Sequence, residues 1–313
     1  MPTQSIFTIQ KYCIMSDLAI IIPAYKDTFL DEAIQSIASQ TCKEFTLYIG
    51  DDCSPHKLWD IVNPYKDKID LVYHRFETNC GGKDLVAQWE RCIALSKGEK
   101  WIWLFSDDDV MEPNCVESFY ETIRKTEYDV YHFNVKVIDG KSNLKSVPAT
   151  YPKVISSYKF YKEKMRGKIM SLVVENIFSR DIYMRTGGFQ NFDLAWGSDT
   201  ATWVKFAFDK GLYTIPAAHV LWRSSDQNIS PDNSGIIVER KVNALLEYFN
   251  WSHGFFKSKG INCSLFNLYA FTSRLRYFKQ FMPSKNIDGI INKFLQNYHS
   301  PWLHTLIKLI AKL

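Results

Sequence analysis

The sequence predicts an α/β protein: a mostly parallel, Rossmann-like sheet flanked by helices, with a helical C-terminal extension. Three observations lead there. Short apolar runs rich in β-branched residues alternate with stretches of helical spacing from Leu18 to Asp109, and such alternation builds parallel sheets through right-handed crossovers. Two of those runs end in clustered carboxylates, Asp51-Asp52 and Asp107-Asp108-Asp109, and ligands of open α/β sheets gather at the carboxyl ends of the strands. Beyond Pro231 the text turns helical and basic.

The elements follow in order. LAIIIPAY, from Leu18, is a buried parallel strand stopped by Pro23. LDEAIQSIASQ sets Leu30, Ala33, Ile34, Ile37 and Ala38 at helical spacing. FTLYIGDD is a second strand, LWDIVNPY a helix and IDLVYHRF a third strand. After Gly81-Gly82, KDLVAQWERCIALS reads as a helix and WIWLFSDDD as a fourth strand ending on acids. From Asn114 to Asp232 the pattern is mixed, with strands at YDVYHFNVKVI and LYTIPAAHVLW and a helix, DTATWVKFAFDKG, between them. The chain divides into an N-terminal appendage (1–16, with Met15 an alternative start), a catalytic unit (17–232, in halves 17–113 and 114–232) and a basic helical region (233–313).

Composition narrows the class. With 313 residues and 46% hydrophobic content the chain can bury a sizeable core, which excludes disorder as its main state. No apolar run approaches the ~18 residues of a membrane span. MPTQSIFTIQKYCIM lacks a basic stretch followed by a long apolar one, so a cytoplasmic protein without a signal peptide is expected. The 7 cysteines are scattered and form no CxxC pair, which points to reduced structural thiols. Net charge is +4; residues 231–313 hold eleven Lys/Arg against four Asp/Glu, leaving −3 on the first 230. An acidic body with a basic tail fits a metal in front and an anionic surface behind. No basic-aromatic motif suggests nucleic acid. PWLHTLIKLIAKL sets His304, Lys308 and Lys312 on one stripe, a pattern for a helix lying in a membrane interface or packing on the body or a second copy.

SDDDVMEP carries the first chemistry. Adjacent carboxylates repel unless a cation offsets them, and Mg²⁺ or Mn²⁺ prefers carboxylate and phosphate oxygens; a solvated acidic turn is the plainer reading. WGSDTATW carries the second: Asp199 opens a helix, as a general base or as a cap.

In order and spacing, IIIPAYKD, SIASQTCKEFTLYIGDDCS, NCGGKDLVAQWERCIALSKGEKWIWLFSDDD and GGFQNFDLAWGSDTATWVKFA resemble the family 2 inverting glycosyltransferases of GT-A fold. The resemblance runs from about Leu18 to Ser230. It implies a nucleotide-sugar donor, a UDP-sugar by preference, and a saccharide acceptor, lipid-linked or not, in bacterial cell-surface polysaccharide synthesis at the inner face of the membrane. It assigns Asp52 to the nucleobase, Asp51 to orienting it or touching ribose, and Pro23, Ala24 and Tyr25 to the wall beside it. Asp108 and then Asp109 become ligands of Mn²⁺ or Mg²⁺, with Asp107 near ribose. Lys83 and Arg223 become donor contacts, Asp199 the general base, and Trp196 and Ser198 acceptor contacts. The pattern departs at Ser106, where an acid is usual, at Gln88, Trp89 and Arg91, where an Arg and an Asn are usual, and at Ser225, where a metal-binding His is frequent. Two other functions compete: a nucleotidyltransferase, which would need a glycine- and basic-rich loop after the first strand, and a silent subunit keeping the fold for binding alone.

Overall fold

A computed structural model describes residues 16–225, 234–282 and 284–296. The expected N-terminal appendage, except Ser16, and the segment PWLHTLIKLIAKL lie outside them. Among the described residues one sheet of ten strands organises the fold. Its first half is the expected alternation: β1 (Leu18–Ala24), α1 (Leu30–Ala38), β2 (Thr46–Asp51), α2 (Leu58–Val62), β3 (Asp70–Arg75), α3 (Leu85–Ile93) and β4 (Trp101–Leu104). β1 pairs in parallel with β2 and β4, and β2 with β3. β1, β2 and β4 are buried along almost their whole length, which is why they read as continuous apolar runs.

The second half is more irregular. After β5 (Val110–Met111) and α4 (Cys115–Ile123) come β6 (Val130–Ile138), β7 (Leu144–Ser146), β8 (Val154–Ile155), α5 (Ser157–Met165), β9 (Asn176–Ser179), α6 (Arg180–Thr186), α7 (Ser198–Phe206) and β10 (Leu212–Arg223). The spatial order is β3-β2-β1-β4-β9-β6-β10-β5, with β7 on β6 and β8 on β10. β6 and β10 are parallel to one another, whereas β9 runs antiparallel to both neighbours, β4 and β6. The longest ladders are therefore parallel, as expected, and β9 joins the halves with reversed polarity.

The sheet has two apolar faces. One packs against α1, α2 and α4 through residues such as Ile20, Ile22, Ile34, Leu47, Trp103 and Phe119. The other packs against α3, α5, α6 and α7 and continues without a break into α8 (Gly235–Ser258), α9 (Ser264–Lys279) and α10 (Ser284–Leu295). Val242, Phe249, Leu268, Phe271 and Phe294 share a cluster with Ala19, Ile21, Ile102 and Trp203. The C-terminal helices thus complete the core of the sheet, a closer union than a separate appended region. Among the described residues no helix is long and apolar enough to cross a membrane.

Candidate active site

The carboxyl ends of β1 and β2 are tied by the Asp52 amide, which donates to Ala24 O at 2.9 Å. From there the Asp52 carboxylate reaches the glycine turn before α3. It accepts from the amides of Cys80 (2.7 Å) and Gly81 (2.8 Å), from Asn79 Nδ2 (3.1 Å) and from the Arg91 guanidinium. Gly81 is required there, because a Cβ would stand 2.8 Å from Asp52 Oδ2. Arg91 also lies 3.9 Å over the Phe76 ring. Four donors fill the acceptor capacity of a carboxylate, so a nucleobase could bond to Asp52 only by replacing one of them. Arg91, left without a role at the sequence level, is the side-chain cation of this corner.

Asp51 does not match its expected place beside base or ribose. It is fully buried and accepts from the Ser54 amide (2.8 Å), Arg75 (2.6 Å) and the Tyr73 hydroxyl, so its work is to hold the turn after β2. Pro23 and Ala24 end β1, and Tyr25 extends beyond it with 42% of its surface exposed. The Tyr25 ring is thus free to face a ligand, while its carbonyl accepts from Ser54 Oγ at 2.6 Å.

The three acids after β4 are all buried, and each points to a different partner. Asp107 Oδ2 accepts the amides of Tyr25 and Lys26, both at 2.9 Å. Asp108 accepts from Ser106 Oγ and sits 3.1 Å from Lys26 Nζ. Asp109 accepts the Arg223 amide at 2.7 Å. Burial raises the Asp107 and Asp109 carboxyls above the ordinary range, and the neighbouring Asp108 adds to both. Burial lowers the Lys26 ammonium, but Asp107, Asp108 and Asp109 outweigh it and hold it above its usual value. Lys26 was missed in the sequence, where it is one lysine after a strand; its partner Asp108 is 82 positions away.

Arg223 does not offer its guanidinium to a phosphate here. It is fully buried, donates to Asp108 O (2.7 Å), Asp139 O (3.1 Å), Ser142 Oγ (2.9 Å) and Glu32 Oε2 (2.6 Å), and covers the Phe29 ring. It braces the acid turn from behind. Among the described residues no three His, Cys, Asp or Glu side chains converge on one metal position. A hard cation that takes one or two carboxylates and fills its shell from substrate oxygens needs no such cluster, and Asp108 and Asp109 are the buried carboxylates that would hold it.

Asp199 lies in the first turn of α7, after Gly197 in the left-handed region (φ 87°). A Cβ on Gly197 would stand 3.1 Å from the Tyr248 ring, so glycine lets α8 close over this turn. No side chain caps α7; the Asp199 carboxylate accepts from Thr200 Oγ1 at 3.3 Å. Burial raises its pKa, and the Lys164 ammonium opposes the rise. The charge of Glu175 acts on Lys164 as well; this buried carboxyl accepts the Leu172 amide at 2.7 Å while Oε2 has no partner among the described residues. Burial pushes Glu175 up to about 7. Neither residue was anticipated, although a lone acid inside LVVENIF was a visible signal.

The remaining candidates divide. Ser198, expected at the acceptor, is fully buried and its hydroxyl accepts the Phe192 amide at 2.9 Å. Trp196 packs inward against Phe278, with Lys241 Nζ 4.7 Å from its ring. Lys83 is exposed and lines a cavity of about 280 Å³ with Asp84, Asn191, Leu194 and Glu247. Asn191 Nδ2 bonds the Asp84 carboxylate at 2.9 and 3.1 Å, which ties the segment leading to Asp199 to the glycine-turn helix.

The family model for glycosyl transferase family 2 matches residues 19–186. The chain belongs to that family. It is 29% identical over 131 residues to the Staphylococcus aureus poly(ribitol-phosphate) β-N-acetylglucosaminyltransferase TarS, covering 41% of this chain and 22% of that protein. It is 27% identical over 209 residues to an uncharacterised glycosyltransferase of Rickettsia prowazekii, covering 63% of this chain and 60% of the relative. The chain therefore spans less than two thirds of either relative's length. In fold it is similar to residues 1–349 of TarS, solved with UDP-GlcNAc, at a TM-score of 0.60 and 17% identity over 94% of this chain and 90% of that one. A structure of GalNAc-T7 with UDP, GalNAc and Mn²⁺ gives a TM-score of 0.55 at 12% identity, over 91% of this chain and 58% of that one. The fold is GT-A.

Proposed function

We propose that this family 2 glycosyltransferase moves a sugar, with inversion, from a nucleotide-sugar donor to a hydroxyl of a cell-surface saccharide. The observation that carries the reading is Asp199 in the first turn of α7, its carboxylate bonded only to its neighbour Thr200 among the described residues and its pKa raised by burial against the pull of Lys164, as suits a general base. Asp199 takes the proton of the acceptor hydroxyl as that oxygen bonds the anomeric carbon, and the bond from that carbon to the nucleoside diphosphate breaks. The buried acid turn at the end of β4 and the exposed Tyr25 ring support a nucleotide-diphosphate site. Mn²⁺ or Mg²⁺, which Asp108 and Asp109 would hold, would supply charge neutralisation of the departing diphosphate. A UDP-sugar is favoured because a neighbour in fold was solved with UDP-GlcNAc, and a polymeric acceptor because TarS is named for poly(ribitol-phosphate). We place the reaction on the cytoplasmic side of the membrane.

A second reading has an observation of its own. Asp52 is saturated and Lys26 occupies the acid turn, as they would in a silent subunit. Thermal unfolding with UDP, GDP, dTDP and CDP, each with and without Mn²⁺, separates the two. Metal-dependent stabilisation by UDP is expected, since ligands selective for the native state raise its melting point. Asp199→Asn should keep that shift while losing transfer by a factor of ~10²–10⁴. A full-rate Asp199→Asn enzyme would remove Asp199 from the chemistry, and no shift with any nucleotide would favour the silent subunit.

A further inference from the structure

Lys164 belongs to two environments at once. Burial lowers its ammonium below the usual value while the charges of Asp199 and Glu175 oppose the fall, and it also lines a second cavity, of about 480 Å³, with Pro148, Ala149, Lys168, Met170 and Arg274. The cations come from separate elements: Lys164 from the end of α5, Lys168 from the turn after it and Arg274 from α9. That turn runs through Gly167 at φ 71°, the left-handed region where glycine is at ease. No acid lines the cavity. Among the described residues neither Lys164 nor Arg274 has a carboxylate within 4.0 Å; Arg274 donates to the carbonyls of Lys164 and Met165 at 3.2 and 3.4 Å, and Lys164 to Ser171 O at 2.7 Å. Lys168 shares Glu163 with Arg166 and stays 63% exposed at its side chain. Half-buried like charges around one space are unfavourable unless an anion joins them. The volume suits a small ligand group, and a guanidinium fork with ammonium groups is matched to phosphate oxygens.

We infer that this cavity binds a phosphate group of the acceptor, a phosphodiester in a polyol polymer or the phosphate of a lipid carrier. Lys164 couples it to the base: the acceptor's anion is seated on Arg274 and Lys168, and its hydroxyl reaches Asp199 one side chain away. The inference rests on the transferase reading and narrows it to anionic acceptors.

The test is calorimetry on the full chain. UDP with Mn²⁺ is titrated first. Then, at saturating UDP, come a glycerol phosphodiester oligomer, vesicles carrying a polyprenyl phosphate, and maltotriose as the neutral control. Binding of a phosphate-bearing probe and not of maltotriose is expected, weakened at least tenfold by Arg274→Gln and by Lys168→Ala, with UDP affinity unchanged. The probe that binds names the source. Should Arg274→Gln unfold, Lys168→Ala, on an exposed turn, decides alone. Equal binding of maltotriose, no effect of either substitution, or displacement of the probe by UDP would overturn the inference. Failure of the UDP titration counts against the transferase reading and is seen in its own arm.

Discussion

Glu175 shows what a single buried carboxyl does to the pH response. Its folded pKa is about 7, raised by burial above the ordinary 4.5, so between those values the folded state holds a proton that the unfolded state has released. Stability then falls as pH rises through that window and levels off above about 7. Glu175→Gln should therefore gain about 3–4 kcal/mol relative to the parent at pH 8, the interval from 4.5 to about 7 taken at about 1.4 kcal/mol per pH unit. The difference should vanish near pH 4.5. Urea unfolding at both pH values reads it, and an equal effect at both would assign the change to packing. Lys26 is the opposite case, a cation held by acids. Lys26→Met strips the side-chain cation from Asp108, so the variant's melting point should drop without divalent ions and recover in Mn²⁺ more than the parent's does. A drop that metal leaves untouched would mean that the lysine's stem, and not its charge, is what matters.

At the scale of elements, the difference between what was legible and what was hidden is a matter of sequence distance. β1, β2, α3 and β4 announce themselves because burial on both faces, or on one stripe, writes a local period into the text. β9 does not: its four residues follow the apolar stretch LVV, and only the partners on either side, β4 and β6, make them a strand. β5, β7 and β8, of two or three residues each, are equally silent. The site divides in the same way. Clustered acids at strand ends stand out, whereas the partners that decide their roles come from elsewhere in the chain: Arg75 for Asp51, Arg91 for Asp52, Lys26 for Asp108. Arg223, at the end of β10, is the strongest case. It joins α1, the acid turn and the turn after β6 through Glu32, Asp108 and Asp139. Arg223→Met should cost on the order of 1–3 kcal/mol, since it leaves the buried Asp108 carbonyl without its donor, read by chemical denaturation. A variant of normal stability that binds UDP weakly would instead restore the phosphate-ligand role.

For the whole molecule, the continuous core beneath α8, α9 and α10 predicts that the family-matched segment is not self-sufficient. A chain ending at residue 232 would bare Tyr158, Tyr161, Phe192 and Phe208, on whose rings Tyr248, Phe255 and Phe256 close, and apolar surface of that extent drives association. Expression of residues 16–232 should give aggregated material without a cooperative melting transition. A soluble, cooperatively folding fragment would show the helices to be an attachment after all. The reversed strand β9 has a consequence in time. β4, wholly buried in the finished protein, bonds β1 along one edge and β9 along the other, yet β9 begins only at Asn176. At a synthesis rate of roughly 5–20 residues per second, the growing chain waits about 4–14 seconds between finishing β4 and making its partner. For that interval Trp101-Ile102-Trp103-Leu104 presents an unpaired apolar edge, and it is there that a nascent chain would be captured by a chaperone, or lost to a neighbour on the same messenger.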